Sequence, residues 1–480
     1  MTTDSTLAQG NSLLQEGAYP AAVRSYLNHA LAEDAAEVPG LTIPLEGSLT
    51  LARELRLSRR RSALRQGRAP RIAVCGWELG HNAAGRALAL AEAHAAVNPH
   101  VEIIGTVLPH YGEQLWPPMQ GSRIPVHPLL VRSHRTFLRH ALKFVLQRPY
   151  DVVHLSKPRW TTLIFGLLYE LIWGTKVIWD IDDEELGFVG AEKPLTPAEA
   201  FGPGERSRLT SLRAELATRV AVSQATRFDE VTVSNPALQQ RYGGSLLPHL
   251  RHEDRFIPSP ERTRRARRTW DIPEDATVVL FSGTPRKHKG LLKVARALAS
   301  LERQDIWLVV AGDFTHPQLR RNLESVTGLN LRLIPGQPLY ALPEITALGD
   351  YTVLLQDQSS LAAQYQLPAK LMDSLAMGHV VFTQVTPATQ WLAEAGVVLP
   401  VTSLTLEESL RTWLEDPGRE SGRRSRAREF FLEHLSISSA QPLMKGLQEI
   451  RPSERPSWEG KLLPLLRGSQ EDFVLACTQT

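Results

Sequence analysis

At 480 residues the chain is long enough for about three structural units of ordinary size, and 42% hydrophobic with 22% charged residues excludes a disordered, collagenous or fibrous protein. Lys and Arg total 54 against 51 Asp and Glu, a net charge of +3, too near balance to imply a nucleic-acid or membrane partner. The two cysteines, Cys75 and Cys477, can build neither a disulfide framework nor a zinc site, which points to a reducing cytoplasm.

Residues 1–69 predict a short helical extension, and 1–12 lack the basic flank and apolar run of a secretion signal. Gly17, Tyr19, Ala22, Tyr26 and Ala30 are spaced as in a single tetratricopeptide-type hairpin. A lone repeat cannot bury its own apolar face, so it packs on the rest of the chain or on a protein partner. The basic helix at 53–68 reads as a solvated face, with a phosphate or anionic-lipid patch as the alternative.

From Arg71 the texture changes. RIAVCGW, VEIIGTVL, YDVVHL, KVIWDI and RVAVS predict buried parallel strands, with helices at 83–96 and 160–173 between them. The apolar run 163–173 is too short to cross a bilayer. After a Pro-rich loop at 248–260 and a basic helix at 261–270, read as a solvated face instead of a nucleic-acid surface, the pattern restarts. ATVVLFSG, IWLVVAGD, LNLRLIPG, YTVLLQ and HVVFTQV predict a second strand series, with helices at 291–301, 317–325 and 368–377. The fold class is therefore α/β, with two Rossmann-like doubly wound units at 70–250 and 251–425. Residues 426–480 are a C-terminal helix and tail packing back across both. Ligands of such sheets bind outside the carboxyl ends of the strands, here in a cleft between the halves.

Three loops and one acidic cluster carry candidate chemistry. Gly80 and Arg86 lie in a glycine-containing loop after the first strand, where backbone N–H groups can approach an anion or simply make a turn. The spacing is not GxGxxG and no acidic residue closes the second strand, which disfavours a nicotinamide dehydrogenase. Gly283, Thr284, Arg286 and Lys289 follow the first strand of the second series, and such a cationic loop can hold a diphosphate. It lacks the GxxxxGK[ST] spacing of an ATP-hydrolysing loop. Further on, Pro368 opens a helix that Gly378 follows. The N–H groups of Ala369 and Lys370 would point at a phosphate and Asp373 would accept from a sugar hydroxyl, or the segment is an ordinary capped helix.

Asp180, Asp182, Asp183, Glu184 and Glu185 crowd the end of KVIWDI. Asp182 could orient an acceptor or take its proton. The cluster could instead hold a divalent metal or cap a turn. Strand alternation sets Asp180 on the side of Asp182 and turns Asp183 away. His154 is read at the end of YDVVHL, facing the cleft with Lys157 and Arg159 beyond it, or as a structural histidine.

Taken together these segments resemble the family 4 glycosyltransferases of the GT-B fold, over roughly residues 70–445. Lys289-Gly290 matches that family's Lys-Gly in the donor-diphosphate loop; Thr284 stands where the family has arginine, and Arg286 takes that role. The run Asp373 to Gly378 is similar to the family's glutamate-containing helix ending, with Asp373 on the nucleotide ribose. Tyr365 stands where the family places the glutamate that contacts the donor sugar, and Asp182 where it commonly carries a histidine.

The resemblance implies a UDP- or GDP-type nucleotide-sugar donor, transfer to a glycan, lipid-linked or protein hydroxyl with retention, and no metal or other cofactor. Asp182 and His154 would be catalytic. Gly283, Thr284, Arg286, Lys289, Tyr365, Ala369, Lys370, Asp373, Gly80 and Arg86 would bind the donor. No nucleic-acid partner is expected, and the location would be cytoplasmic, at most peripheral to the inner face of a membrane. Two alternatives stay open: a metal-dependent transferase using Asp180 and Asp182, and a non-catalytic glycosyltransferase-like binding or scaffold subunit.

Overall fold

The computed structural model describes residues 67–450 and 469–478, apart from 120, 205–207, 287–288, 357–358, 416–417 and the side chains of 418–421, together with 8–13, 16, 18, 21 and 25. Most of the expected N-terminal hairpin and basic helix lies outside the described residues.

Among the described residues two parallel sheets form. The first holds β1 (Ile72–Gly76), β2 (Val101–Val107), β3 (Val126–Leu130), β4 (Val152–Ser156), β5 (Lys176–Ile181), β6 (Glu230–Val233) and β7 (Ser245–Leu246). Their order is β3-β2-β1-β4-β5-β6-β7. The second holds β8 (Thr277–Ser282), β9 (Ile306–Ala311), β10 (Asn330–Ile334), β11 (Tyr351–Leu354), β12 (Val380–Thr383) and β13 (Leu399–Pro400), in the order β10-β9-β8-β11-β12-β13. The order reverses between β1 and β4 in one sheet and between β8 and β11 in the other. At such points adjacent connections leave on opposite faces and open a crevice.

The strands form because their residues are apolar on both faces; β1 and β4 are buried throughout. The helix Trp160–Trp173 is buried at every position except Glu170, and Gly174 ends it in the left-handed conformation at φ 59°. The two sheets share a device at their centre. A Cβ on Gly105 would lie 2.2 Å from the Gly76 carbonyl oxygen, and one on Gly312 would lie 2.3 Å from that of Gly283. In each half, glycine thus lets the second strand's end close on the first.

Some expectations need correction. RVAVS is not a strand but the end of the helix Glu215–Ser223, because Ala217, Val220 and Ala221 form a buried stripe of helical period. Strands β3, β7 and β13 were not foreseen: the first is half-exposed and carries Pro128, and the other two are only two residues long. The basic helix Pro260–Thr269 is not wholly solvated either. Arg267 is buried, with Nη2 2.6 Å from Asp350 Oδ2 and Nη1 donating to the carbonyls of Glu274 and Ala276.

The chain returns across both halves at its end. The helix Gly418–His434 packs on Ala369–Ala376, Ile437–Gln448 packs on Ala84–Ala95, and Gln470–Thr478 packs on Pro197–Phe201. Where it crosses, Arg251 pairs with Ser436 as an isolated parallel bridge, through Arg251 N to the Leu435 oxygen and Ile437 N to the Arg251 oxygen, both 3.0 Å. No helix among the described residues is long and apolar enough to cross a membrane.

Candidate active site

At the reversal point of the first sheet, β4 ends at Ser156 and the next residue, Lys157, adopts φ 73°. A left-handed non-glycine residue costs about 1–3 kcal/mol and persists only where its surroundings over-determine it. Here the Lys157 N–H donates to the Asp180 carbonyl (2.9 Å), and its own carbonyl accepts from Trp179 Nε1 (3.0 Å) and Thr162 Oγ1 (2.7 Å). The side chain so placed carries its ammonium among three carboxylates. Nζ is 2.7 Å from Asp182 Oδ1, 2.5 Å from Asp183 Oδ2 and 3.4 Å from Glu185 Oε1. Arg159 supports the group by an ion pair to the other Glu185 oxygen.

These groups are buried, and burial dominates their protonation. Burial, with the charges of Asp183 and Asp180, pushes Asp182 up to about 7 against the opposing charge of Lys157. For Asp183, burial is outweighed by the Lys157 charge and by hydrogen bonds from Lys157 and Gln366, so its carboxyl sits below the usual range. Burial alone would depress Lys157; the three carboxylates overcome it and hold the ammonium firmly charged.

The reversal point of the second sheet faces this cluster. Lys289 Nζ donates to Gln366 Oε1 (2.7 Å) and Gln356 Oε1 (3.3 Å), and Gln366 Nε2 donates to Asp183 Oδ1 (3.1 Å). A polar relay therefore runs from Lys157 through Asp183 and Gln366 to Lys289. Burial lowers Lys289 to about 8, helped by Arg286 and opposed by Asp183. Gly283 follows β8 at φ 101°, Thr284 is half-buried and Arg286 is exposed. Ala369 and Lys370 open the helix Ala369–Ala376, and Lys370 Nζ lies 3.4 Å from the Phe281 ring centroid. Burial and the neighbouring Lys289 hold Lys370 well below the usual lysine range, against the pull of Asp373. On the same edge a pocket of ≈ 430 Å³ is lined by Gln364, Val385, Thr386, Pro387 and Gln390.

The halves touch closely here. Asn235 Nδ2 donates to the Tyr365 carbonyl (3.0 Å), the Arg241 guanidinium lies 5.6 Å from the Tyr365 ring centroid, and Tyr365 packs against the apolar cluster of Ile181, Ala225, Val233 and Leu238. A Cβ on Gly187 would lie 2.4 Å from the Ala362 nitrogen. Above β1, His81, Trp77 and Tyr111 form edge-on ring contacts, and Arg213 lies 4.8 Å from the Tyr111 centroid. Burial lowers His81 to about 4, with Lys157, Arg213 and Arg286 adding to the shift.

Several candidates sit elsewhere than the sequence suggested. Arg86 does not face the cleft: it is buried, with Nε 2.8 Å and Nη2 2.6 Å from the two oxygens of Asp180, and it donates to the carbonyls of Leu247 and Pro248. Asp180 is thereby fully engaged, so it cannot join Asp182 as a metal ligand without breaking that pair. His154 is mid-strand and completely buried, 3.0 Å from both His94 Nε2 and Thr232 Oγ1. Burial lowers it to about 3, and it is a hydrogen-bonded structural histidine.

Asp373 is buried too, and its Oδ1 accepts from Arg251 Nε at 2.5 Å. Tyr365 turns its ring toward the first half. The Gly80 N–H is taken by Glu78 Oε1 at 2.6 Å. Asp183 does not point away, because strand pairing stops at Ile181 and alternation stops with it. Sequence reasoning gave no role to Gln356 or Gln366, named Glu185 only as one member of the acidic cluster, and treated Lys157 only as a neighbour of His154. For Lys157 the visible signal was a pair of cations, Lys157 and Arg159, at the end of a buried strand.

No protein-family model matches the chain. Over 109 residues it is 28% identical to WcaI of Escherichia coli (strain K12), described as a colanic acid biosynthesis glycosyl transferase; this stretch is 22% of the chain and 26% of that relative, so about a quarter of the relative's length is matched. Among solved structures, HepE of Anabaena in complex with UDP-glucose superposes with a TM-score of 0.59 at 15% identity, over 78% of this chain and 98% of that one. WaaG, a glycosyltransferase involved in lipopolysaccharide biosynthesis, superposes with a TM-score of 0.53 at 18% identity, over 80% and 100%. The fold is the two-domain GT-B fold of these enzymes.

Proposed function

We propose that the chain is a GT-B glycosyltransferase that moves a sugar from a nucleotide-diphosphate donor to an acceptor hydroxyl. The observation that carries this reading is the meeting of the two sheet reversal points through Lys157, Asp183, Gln366 and Lys289. Lys289, Arg286, Gly283, Thr284 and the N–H groups of Ala369 and Lys370 would hold the diphosphate, and leaving-group charge would be met by fixed cations and dipoles. Asp182 would orient the acceptor hydroxyl and take its proton. In this reading residues 70–250 serve the acceptor and 251–425 the donor. The likeness to HepE, solved with UDP-glucose, favours a UDP-type donor.

Metal independence and retention are part of the proposal. The charge a metal would bring is supplied by Lys289 and Arg286, and Asp180 is committed to Arg86. The test is a thermal-shift series with UDP, GDP, ADP and their sugar conjugates, with and without EDTA, followed by turnover of any stabilising donor. A ligand at 100 times its Kd adds about 2.7 kcal/mol. Stabilisation by one nucleotide class in EDTA supports the reading. Stabilisation without turnover of any sugar conjugate would favour a scaffold subunit, and loss of both binding and turnover in EDTA would favour a metal-dependent enzyme.

A further inference from the structure

We infer that Lys157 is a built-in cation, standing where a divalent ion would otherwise sit and positioning Asp182 and Asp183 for the transfer. The inference rests on reading this cleft as the transfer site, but its metal-binding arm needs no turnover. Asp182, Asp183 and Glu185 each offer an oxygen, and these atoms lie within 4.8 Å of one another. Oxygens about 2.3–2.6 Å from one Ca²⁺ can lie up to about 4.6–5.2 Å apart on opposite sides of the ion, so the three could share a metal. The Lys157 ammonium is within 3.4 Å of all three. The strained φ of 73° and the hydrogen bonds from Trp179 and Thr162 fix where that ammonium goes.

Among the described residues Lys157 is the cation in direct contact with Asp182 and Asp183. On the loop after β5 stand four carboxylates: Glu184 is paired with Arg241 and Tyr242, and the other three face Lys157. From the start of the next helix Arg159 reaches Glu185 alone. Beneath, Asp180 is neutralised by Arg86. Across the cleft, Lys289 meets Asp183 only through Gln366. His81, close enough to feel Lys157, is held neutral. Removing the ammonium leaves Asp182 and Asp183 without a direct cation, a site that a divalent ion can fill.

The experiment follows Mn²⁺ binding by electron paramagnetic resonance and thermal unfolding on the full chain. Lys157→Ala should bind one Mn²⁺ at least about tenfold more tightly than the wild type, and Mn²⁺ should return its lost thermal stability where equal ionic strength as NaCl does not. Lys157→Arg should behave as the wild type, and adding Asp183→Asn to Lys157→Ala should abolish the gain. If a donor is turned over, its consumption should be indifferent to Mn²⁺ in the wild type and dependent on it in Lys157→Ala, a change that lost packing alone would not produce.

Lys157→Gln, which keeps a hydrogen-bonding head, is the second variant should Lys157→Ala fold only with metal. Folded Lys157→Ala or Lys157→Gln with no gain in Mn²⁺ affinity overturns the inference. So does failure of both to fold with Mn²⁺ present, or a wild type that binds Mn²⁺ as tightly as they do. Absent donor turnover in every variant would count against the transferase reading and leave the metal arm decisive for Lys157.

Discussion

Arg86→Met separates two accounts of the first glycine-containing loop. In the structure the Arg86 guanidinium makes a two-point ion pair with Asp180 and donates to the carbonyls of Leu247 and Pro248, all buried. Removing one partner of a buried pair costs about 3–5 kcal/mol because the other charge is left uncompensated. Each orphaned carbonyl adds about 1–3 kcal/mol unless water reaches it. A loss of at least about 4 kcal/mol is expected, a large part of the 5–15 kcal/mol that holds a typical domain. Urea unfolding followed by circular dichroism would read it. A second change, Asp180→Asn, should restore part of the loss, since it removes the stranded charge, although alone it destabilises. The folded fraction of Arg86→Met should bind nucleotide with unchanged affinity, measured by calorimetry. Undiminished stability together with a tenfold or larger loss of nucleotide affinity would refute this reasoning and return Arg86 to the phosphate-binding role that the loop's sequence suggests.

Other expectations concern the cleft. Lys289→Ala should weaken nucleotide binding by about 1.5–3 kcal/mol, the range for a hydrogen bond to a charged group, without lowering the unfolding midpoint. Because burial lowers Lys289 to about 8, its charge is present below that pH and lost above it, so nucleotide affinity should fall as pH rises through about 8; a flat calorimetric profile from pH 7 to 9 would contradict this. Asp182→Asn should slow transfer roughly 100-fold. With the carboxyl pushed up to about 7, wild-type kcat/KM should fall as pH drops below that value and the base becomes protonated. Asp183→Asn should not be silent, because Asp183 shares Lys157 and orients Gln366 toward Lys289; it should reduce nucleotide affinity as well as rate. Gly187→Val should loosen the contact with Ala362 and lower thermal stability, since its Cβ would meet backbone at 2.4 Å; an unchanged midpoint would show that the contact yields freely.

The strand–helix alternation was legible because parallel strands buried on both faces are written as continuous Val, Ile and Leu runs. It failed at RVAVS, where two β-branched residues mimic a strand within a stripe of helical spacing. Gly283 and Lys289 could be placed after the first strand of the second sheet from a local pattern of strand, glycine and cation. Arg86, His154 and Asp373 could not be placed, because whether a polar side chain faces a cleft or a buried partner depends on residues far away in the chain. Arg86 meets Asp180, His154 meets His94 and Thr232, and Asp373 meets Arg251. Alternation likewise cannot be carried past the last paired residue, which is why Asp183 was assigned to the wrong side. The reach of Lys157 into the acidic cluster stayed hidden because no one-dimensional pattern announces a lysine with positive φ.

The two passages of the chain between the halves, near Arg251 and near Ser436, run side by side and are bonded to each other. A single tether would leave the halves free to swivel in any direction. Two tethers fastened edge to edge behave as a strip, which folds about one line and resists twist and sliding. Arg251 belongs to that strip, and its side chain grips Asp373 in the helix whose first turn faces the Lys289 loop. A pull on that helix is therefore transmitted to the fold line through this ion pair and through Arg428, which donates to the carbonyls of Ala376, Glu253 and Phe256, and the halves are expected to approach along one trajectory whenever the helix is drawn toward a bound anion.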